Sequence, residues 1–247
     1  MAARDEILAY ADELLEIERF RDAQPNGAQV LGVDEVELIV CGVSANRELL
    51  VRAREEGAQL VLVHHGIFWR TEPPLVDARM RGRLQTLFDG GLTLAAYHLP
   101  LDAHAELGNN AQLAARLGIE VDRPFGELGK GGPLPEPLQL SELVDRLRAV
   151  TEREPVVFAG GPETVARVAV SSGGAGYDLI DAARQGYDAF VTGEPEEPSF
   201  HTARELGITL LAGGHHATER LGVQALAAHL AGRFGVDWRF VEVDNPV

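Results

Sequence analysis

The stretch QLVLVHHGIF, Gln59 to Phe68, decides the fold. Leu60 to Val63 is an unbroken leucine and valine run, the pattern of a strand covered on both faces, and it stops on His64, His65 and Gly66. Open parallel sheets collect ligands beyond the carboxyl ends of their strands, so ionisable groups at such an end are candidates for chemistry. The flanking sequence repeats the theme. VELIVCGVSA (Val36–Ala45) reads as a preceding buried strand, Arg47–Gly57 and Asp77–Asp89 as helices, and LTLAAYH (Leu92–His98) as the next strand. Strands separated by short helices predict βαβ units and a largely parallel sheet.

Upstream, Arg4–Phe20 spaces its apolar residues as an amphipathic helix, which PNGAQV (Pro25–Val30) breaks. Downstream, the Gly- and Pro-rich ELGKGGPLPEP (Glu127–Pro137) breaks the periodicity and predicts a boundary, giving domains 1–126 and 127–247. Beyond it the expected elements are helix Ser141–Val150, strand Val165–Ser171, helix Tyr177–Gln185, strand Ala189–Thr192, helix Thr202–Leu206, strand Ile208–Ala212 and helix Ala217–Phe234. The fold class is α/β, as two α/β domains of similar element order without a sequence-level repeat.

Composition narrows the function. A chain of 247 residues accommodates two ordinary domains without disulfide or structural-metal staples, and 45% hydrophobic with 24% charged residues is globular usage. The 38 acidic against 22 basic residues give a formal charge of −16, which repels nucleic-acid backbones and anionic membranes. Cys41, the single cysteine, permits no intramolecular disulfide or thiolate cluster, and its place in an apolar strand predicts an inert buried thiol. The acidic opening helix is no secretory signal, and no apolar run approaches the ~20 residues that span a bilayer. A cytoplasmic protein is expected.

Five of the 8 histidines cluster at predicted strand ends: His64 and His65, His98, then His215 and His216. His104 and His229 read as ordinary core or surface groups. In HHATE, His215 and Glu219 stand four residues apart and share a face if a helix begins there. HLPLD gives His98 and Asp102 the same spacing, but Pro100 argues for a turn that projects Asp102 from a loop. His64 and His65 are expected to diverge, an arrangement suited to two neighbouring ions. Imidazoles and carboxylates without thiolate suit Zn, Fe, Mn or Co. Two such ions form a hydrolytic device in which a metal-bound hydroxide attacks, and the alternative is a metal site that only ties the halves together.

Other features weigh less. SSGGAG (Ser171–Gly176) reads as a tight turn before it reads as a phosphate loop, lacking dinucleotide spacing and a P-loop lysine. Glu194 of TGE, paired with His201, suits a supporting or proton-shuttling role, with an exposed loop acid and a helix-face histidine as the plain alternatives. Asn109 and Asn110 are expected to cap a helix, and Trp69 to wall a pocket or simply pack.

HHGIFWR, YHLPLDAHAELGNN, TGE, GGHHATERLGVQAL and the DNPV at 244–247 together resemble the GTP cyclohydrolase I type 2-like family, the NIF-three-like dinuclear metal-centre proteins, in its short bacterial branch. The resemblance implies two interlinked α/β domains and a toroidal homohexamer. It implies one divalent ion on His65 and Asp102 and another on His64 and His215, with Glu219 bridging both and His98 an additional ligand. The expectation is therefore a dinuclear-metal hydrolase acting on a small, phosphorylated or nucleotide-like substrate, with Glu219, Glu194 and His201 as its catalytic candidates. The alternative is a scaffold that stores, delivers or senses divalent metal. Nothing in the sequence encodes guanine specificity.

Overall fold

The valine- and leucine-rich runs form the central strands of two sheets in a computed structural model that describes residues 1–247. The chain divides into two α/β units, Met1–Leu107 with Gly222–Asp244, and Gly108–Leu221 with Asn245–Val247. In chain order the first unit holds β1 (Ala2–Ala3), α1 (Arg4–Leu14), β2 (Gly27–Val30), β3 (Glu35–Val36) and β4 (Leu38–Ser44). It continues with α2 (Arg47–Glu55), β5 (Leu60–His65), α3 (Ala78–Gly90), β6 (Thr93–Ala96) and α4 (Leu99–Ala103). The second unit opens with α5 (Asn109–Leu117), β7 (Arg123–Phe125), β8 (Gly129–Gln139), α6 (Leu140–Thr151) and β9 (Val156–Phe158). Next come β10 (Thr164–Ser171), α7 (Leu179–Arg184), β11 (Ala189–Thr192), α8 (Ser199–Leu206) and β12 (Thr209–Ala212). Helix α9 (His215–Phe234) starts in the second unit and continues in the first, which β13 (Asp237–Phe240) completes.

In the first unit the strand order is β13-β4-β5-β6-β2, with only β2 antiparallel to its neighbour. Alternate residues enter two cores. Ile39, Cys41, Leu60 and Leu62 pack with Ile7 of α1 and Leu226 of α9, while Val40, Val61 and Val63 pack with Leu50 of α2 and Leu87 of α3. Both faces are covered, which is why the strands read as continuous apolar runs. Truncating a wholly buried leucine of this kind to alanine costs about 2–5 kcal/mol. Parallel register aligns Ser44 with His65 and Val63 with Ala96, so the residues leaving β5 and β6 emerge at one end of the sheet.

The second sheet runs β7-β8-β10-β11-β12-β9, with β10, β11 and β12 mutually parallel. Val168, Val170, Val191 and Leu211 enter one core, and Ala169, Phe190 and Leu210 the other. Ser171, Thr192 and Ala212 stand in register, so the loops that follow them share one end of this sheet as well.

The boundary expected at 126/127 does not match the compact units. Leu113 and Leu117 of α5 pack in the core with Val168 and Val191, which draws residues 108–126 into the second unit, and residues 222–244 rejoin the first. Nor is Glu127–Pro137 a linker, because 129–139 forms β8 between β7 and β10. Its register jumps from Leu138↔Val165 to Pro133↔Arg167, placing Pro135 and Pro137 in a bulge where no ladder donor is needed. A Cβ on Gly131 would lie 2.0 Å from the Tyr187 hydroxyl, so glycine there serves close approach.

Smaller departures have local causes. The first helix stops at Leu14, ahead of a left-handed Glu16 (φ 50°) and a short 3-10 turn at Ile17–Arg19. Pro25–Val30 contains edge strand β2, and Asp102 lies on α4, whose first turn accommodates Pro100. Gly108 occupies the cap position of α5, leaving Asn109 and Asn110 buried in its first turn. No helix is long and apolar enough to cross a membrane.

Candidate metal centre

Four of the six predicted metal ligands belong to the first unit, at the end of its sheet. His64 and His65 close β5, His98 precedes α4, and Asp102 stands on α4. One nitrogen from each of His64, His65 and His98 lies within 4.8 Å of the others, a set of donors that could hold an ion. The expected divergence of His64 and His65 is absent. Their ring centroids are 4.7 Å apart, because pairing stops at His65 and the chain turns at Gly66, whose N–H donates to Gln24 Oε1 at 2.7 Å. Gln24 also donates from Nε2 to the His64 carbonyl at 2.8 Å, so one buried amide fixes this backbone turn.

Each ring is pinned through Nδ1. His64 Nδ1 lies 2.8 Å from the Tyr97 carbonyl and must donate to it, which leaves Nε2 facing Asp102 Oδ2 at 3.5 Å. His65 Nδ1 lies 3.1 Å from Ser44 Oγ, and His98 Nδ1 lies 2.8 Å from Asp22 Oδ1. A histidine whose second nitrogen is held by a carbonyl or carboxylate is the usual arrangement around a bound metal. His64 and Asp102 are buried, at 0% and 5% exposure.

Asp22, which sequence reasoning missed, buttresses the candidate ligand His98. Its carboxylate accepts from Ala23 N (2.6 Å), Asn26 Nδ2 (3.0 Å) and Leu99 N (3.0 Å) in addition to facing His98. Burial opposes its charge, but His98 and these donors outweigh that and hold the carboxyl far below the ordinary range. The local sequence gives no sign of this, since its partner lies 76 residues away.

The second unit supplies His215 and Glu219. Both lie in the first turns of α9, where His215 Nε2 is 3.2 Å from Glu219 Oε2, as the four-residue spacing predicts. The helix begins two residues earlier than expected, at His215 itself. His215 Nδ1 bonds to Glu194, so the imidazole is held between two carboxylates. Burial works to lower the His215 pKa, yet Glu219 and Glu194 raise it to about 9. Two carboxylates facing one imidazole favour positive charge here, and a cation could supply it.

The turn after β10 completes this arrangement. Gly173 is left-handed at φ +66°, and a Cβ there would lie 2.3 Å from Glu219 Oε1. Its carbonyl accepts from Gly193 N (2.9 Å) and Glu194 N (3.0 Å), tying SSGG to TGE. Ser172 N and Gly173 N are committed to Asn110 Oδ1 and Thr218 Oγ1, so these amides do not serve as a phosphate cradle.

Glu194 therefore supports His215 instead of pairing with His201. His201 is exposed on α8, its ring edge-on to Phe200 at 5.3 Å. Other polar groups have structural roles. His104 Nδ1 accepts from Leu107 N at 3.0 Å, His229 Nε2 lies 2.9 Å from the Tyr10 hydroxyl, and burial pushes the Cys41 thiol pKa up. Trp69 stands edge-on to His98 at 5.4 Å and 5.8 Å from His65, its Nε1 donating to the Gly66 carbonyl at 3.2 Å.

Known proteins match this chain over nearly all its length. The family model described as Duf34/NIF3 (NGG1p interacting factor 3) covers residues 2–246. Proteins named GTP cyclohydrolase 1 type 2 homolog are 44% identical in Pseudomonas aeruginosa, with 97% of each chain aligned, and 45% identical in Escherichia coli K12, with 98% of each aligned. Among solved structures, protein ybgI, described as of unknown function, superimposes with a TM-score of 0.96 at 43% identity, over 99% of this chain and 100% of that one. A protein of Thermus thermophilus gives 0.93 at 40% identity, over 99% and 100%. The α/β architecture is accordingly shared with these relatives, and the chain belongs to the Duf34/NIF3 family.

Proposed function

We propose that the protein is a divalent-metal-dependent hydrolase acting on a small, phosphorylated or nucleotide-like substrate. The observation that carries this reading is the cluster of His64, His65 and His98, whose donor nitrogens converge while each Nδ1 is engaged elsewhere. The residues that would hold divalent ions are these three with Asp102 in the first unit, and His215 with Glu219 in the second. Nitrogen and oxygen donors of this kind fit Zn, Fe, Mn or Co. When bound, such ions act as Lewis acids and lower the pKa of a coordinated water.

The chain's own residues do the positioning. The Tyr97 carbonyl, Asp22 and Glu194 engage Nδ1 of His64, His98 and His215 and so orient each ring, which would leave the other nitrogen to hold a metal. Glu219, 3% exposed, is held beside His215 by the helical spacing and by the absence of a side chain at Gly173. The relatives' name, a homolog of a cyclohydrolase, supports hydrolytic chemistry. We extend the same kinship to a cytoplasmic homohexamer, whose assembly light scattering checks directly.

The test is full-length protein reconstituted with Mn, Fe or Zn and screened on nucleotides and phosphoesters, with metal content read by mass spectrometry. Two ions per chain and turnover abolished by Glu219→Ala are expected. Turnover indifferent to Glu219→Ala refutes the assignment. Two tightly bound ions without turnover replace the hydrolase with a protein that stores, delivers or senses metal.

A further inference from the structure

An apolar cavity of about 390 Å³ lies in the first unit and is used by none of the chemistry above. Its volume is in the ~300–1,000 Å³ range of small-molecule sites. Ile67, Trp69, Pro74, Leu75, Val76 and Met80 form its apolar walls, in and beyond the loop that follows the two histidines of β5. Leu75 and Val76 are 68% and 62% exposed, which is unusual for aliphatic side chains on a loop and marks an apolar surface with nothing packed on it.

Trp69 connects this cavity to the imidazoles. Its indole lines the cavity and also stands edge-on to His98 and near His65, and its Nε1 bond to the Gly66 carbonyl fixes the ring in that position. A molecule in contact with the Trp69 indole is therefore one ring away from the proposed donors.

Charge identifies the occupant further. Two charged residues line the cavity, and they differ. Glu72 is neutralised by Arg79, with Nη1 donating to Oε1 at 2.9 Å. Arg70 is exposed and forms no ion pair, so the cavity carries one uncompensated guanidinium beside an indole and aliphatic walls. Indole and aliphatic walls favour a flat apolar group, and a guanidinium favours a carboxylate or phosphate oxygen pair.

We infer that this cavity is a substrate-recognition site for an aromatic group bearing a single anion, with the ring held against Trp69 and Val76 and the anion read by Arg70. The inference rests on the hydrolase reading only in placing the reacting group toward His98. Binding itself requires no metal.

Two tryptophans are present, Trp69 and Trp238, so Trp238→Phe makes Trp69 the sole indole fluorophore. Full-length Trp238→Phe protein, dialysed against EDTA, is titrated with phenyl phosphate, benzoate and inorganic phosphate. Saturable change in Trp69 emission with the two aromatic anions, and none with inorganic phosphate, is expected. Adding Arg70→Gln weakens binding about tenfold, the size of one charge-assisted hydrogen bond, and Val76→Asp abolishes it. Circular dichroism of both variants confirms folding, and Arg70→Gln alone, on an exposed side chain, keeps the test decisive if Val76→Asp unfolds. Silence with both aromatic anions, an equal response to inorganic phosphate, or unchanged affinity in Arg70→Gln overturns the inference. These results are independent of turnover: an inactive protein that binds phenyl phosphate removes the hydrolase and keeps the cavity site, and an active one whose KM ignores Arg70→Gln does the reverse.

Discussion

The two donor sets solve the same orientation problem with different materials. In the first unit, His64 leans on the Tyr97 carbonyl and His98 on Asp22, a carboxylate whose side chain is 2% exposed and saturated with backbone donors. In the second, His215 leans on Glu194, whose side chain is 40% exposed, and faces Glu219 from its other nitrogen. A buried, fully bonded support is part of the fold and is costly to remove. A half-exposed one contributes little to folding and acts mainly on the ligand it orients. The first set is therefore supported by groups built into the fold, and the second by a carboxylate that solvent reaches.

The sharpest way to break this contrast is Asp22→Ala. It strands the donors of Ala23, Asn26 and Leu99 together with His98, and the expected loss is about 3–5 kcal/mol of folding free energy, read by urea unfolding. A loss below ~1 kcal/mol would make the two supports equivalent. Glu194→Gln is the matched change in the second unit. Stability stays within about 1 kcal/mol, whereas metal affinity falls roughly 10–100-fold, as for other groups that orient a ligating histidine. Competition with a chelating dye measures it.

Acidity gives a subtler discrimination. His215 is held at about 9 in the folded chain, above its ordinary 6.5, so its contribution in metal-free protein is complete below pH 6.5 and lost as pH rises through 9. In EDTA, Tm should fall over that interval, and His215→Gln should flatten the fall. An added divalent ion replaces the proton and should flatten it too. The same slope in His215→Gln would place the titrating group elsewhere. His201→Ala is expected to do least, within about ±0.5 kcal/mol and with unchanged metal content, because the ring is exposed on α8. A changed metal stoichiometry in that variant would restore it to the site.

The elements legible in the sequence are those with a local signature. Leu60–His65 and Val165–Ser171 reveal themselves because burial on both faces leaves an apolar run no other element needs at that length. His215 and Glu219 are legible because a helix repeats its face every four residues. The elements that escaped are specified by partners far along the chain. Strand β8 is rich in glycine and proline and exists because β7 and β10 pair with it from either side. Strand β13, DWRF, is mostly exposed and takes its shape from edge pairing with β4. Asp22 and Gln24 escaped for the same reason, as their roles are defined by His98, Leu99 and the turn at Gly66.

The return of residues 222–244 to the first unit has a consequence for how the chain is made. Val223, Leu226, Ala227 and Leu230 share a core with Ile7, Ile39 and Leu62, and β13 pairs with β4 across about two hundred residues of intervening chain. During synthesis, one side of the first sheet therefore has α1 but lacks its α9 cover until the whole of Gly108–Leu221 has been translated. The second unit has nearly all of its residues in hand by then and can fold ahead, whereas the earlier-made half must wait with leucine and valine exposed, which is the interval in which chaperone engagement or self-association competes with folding.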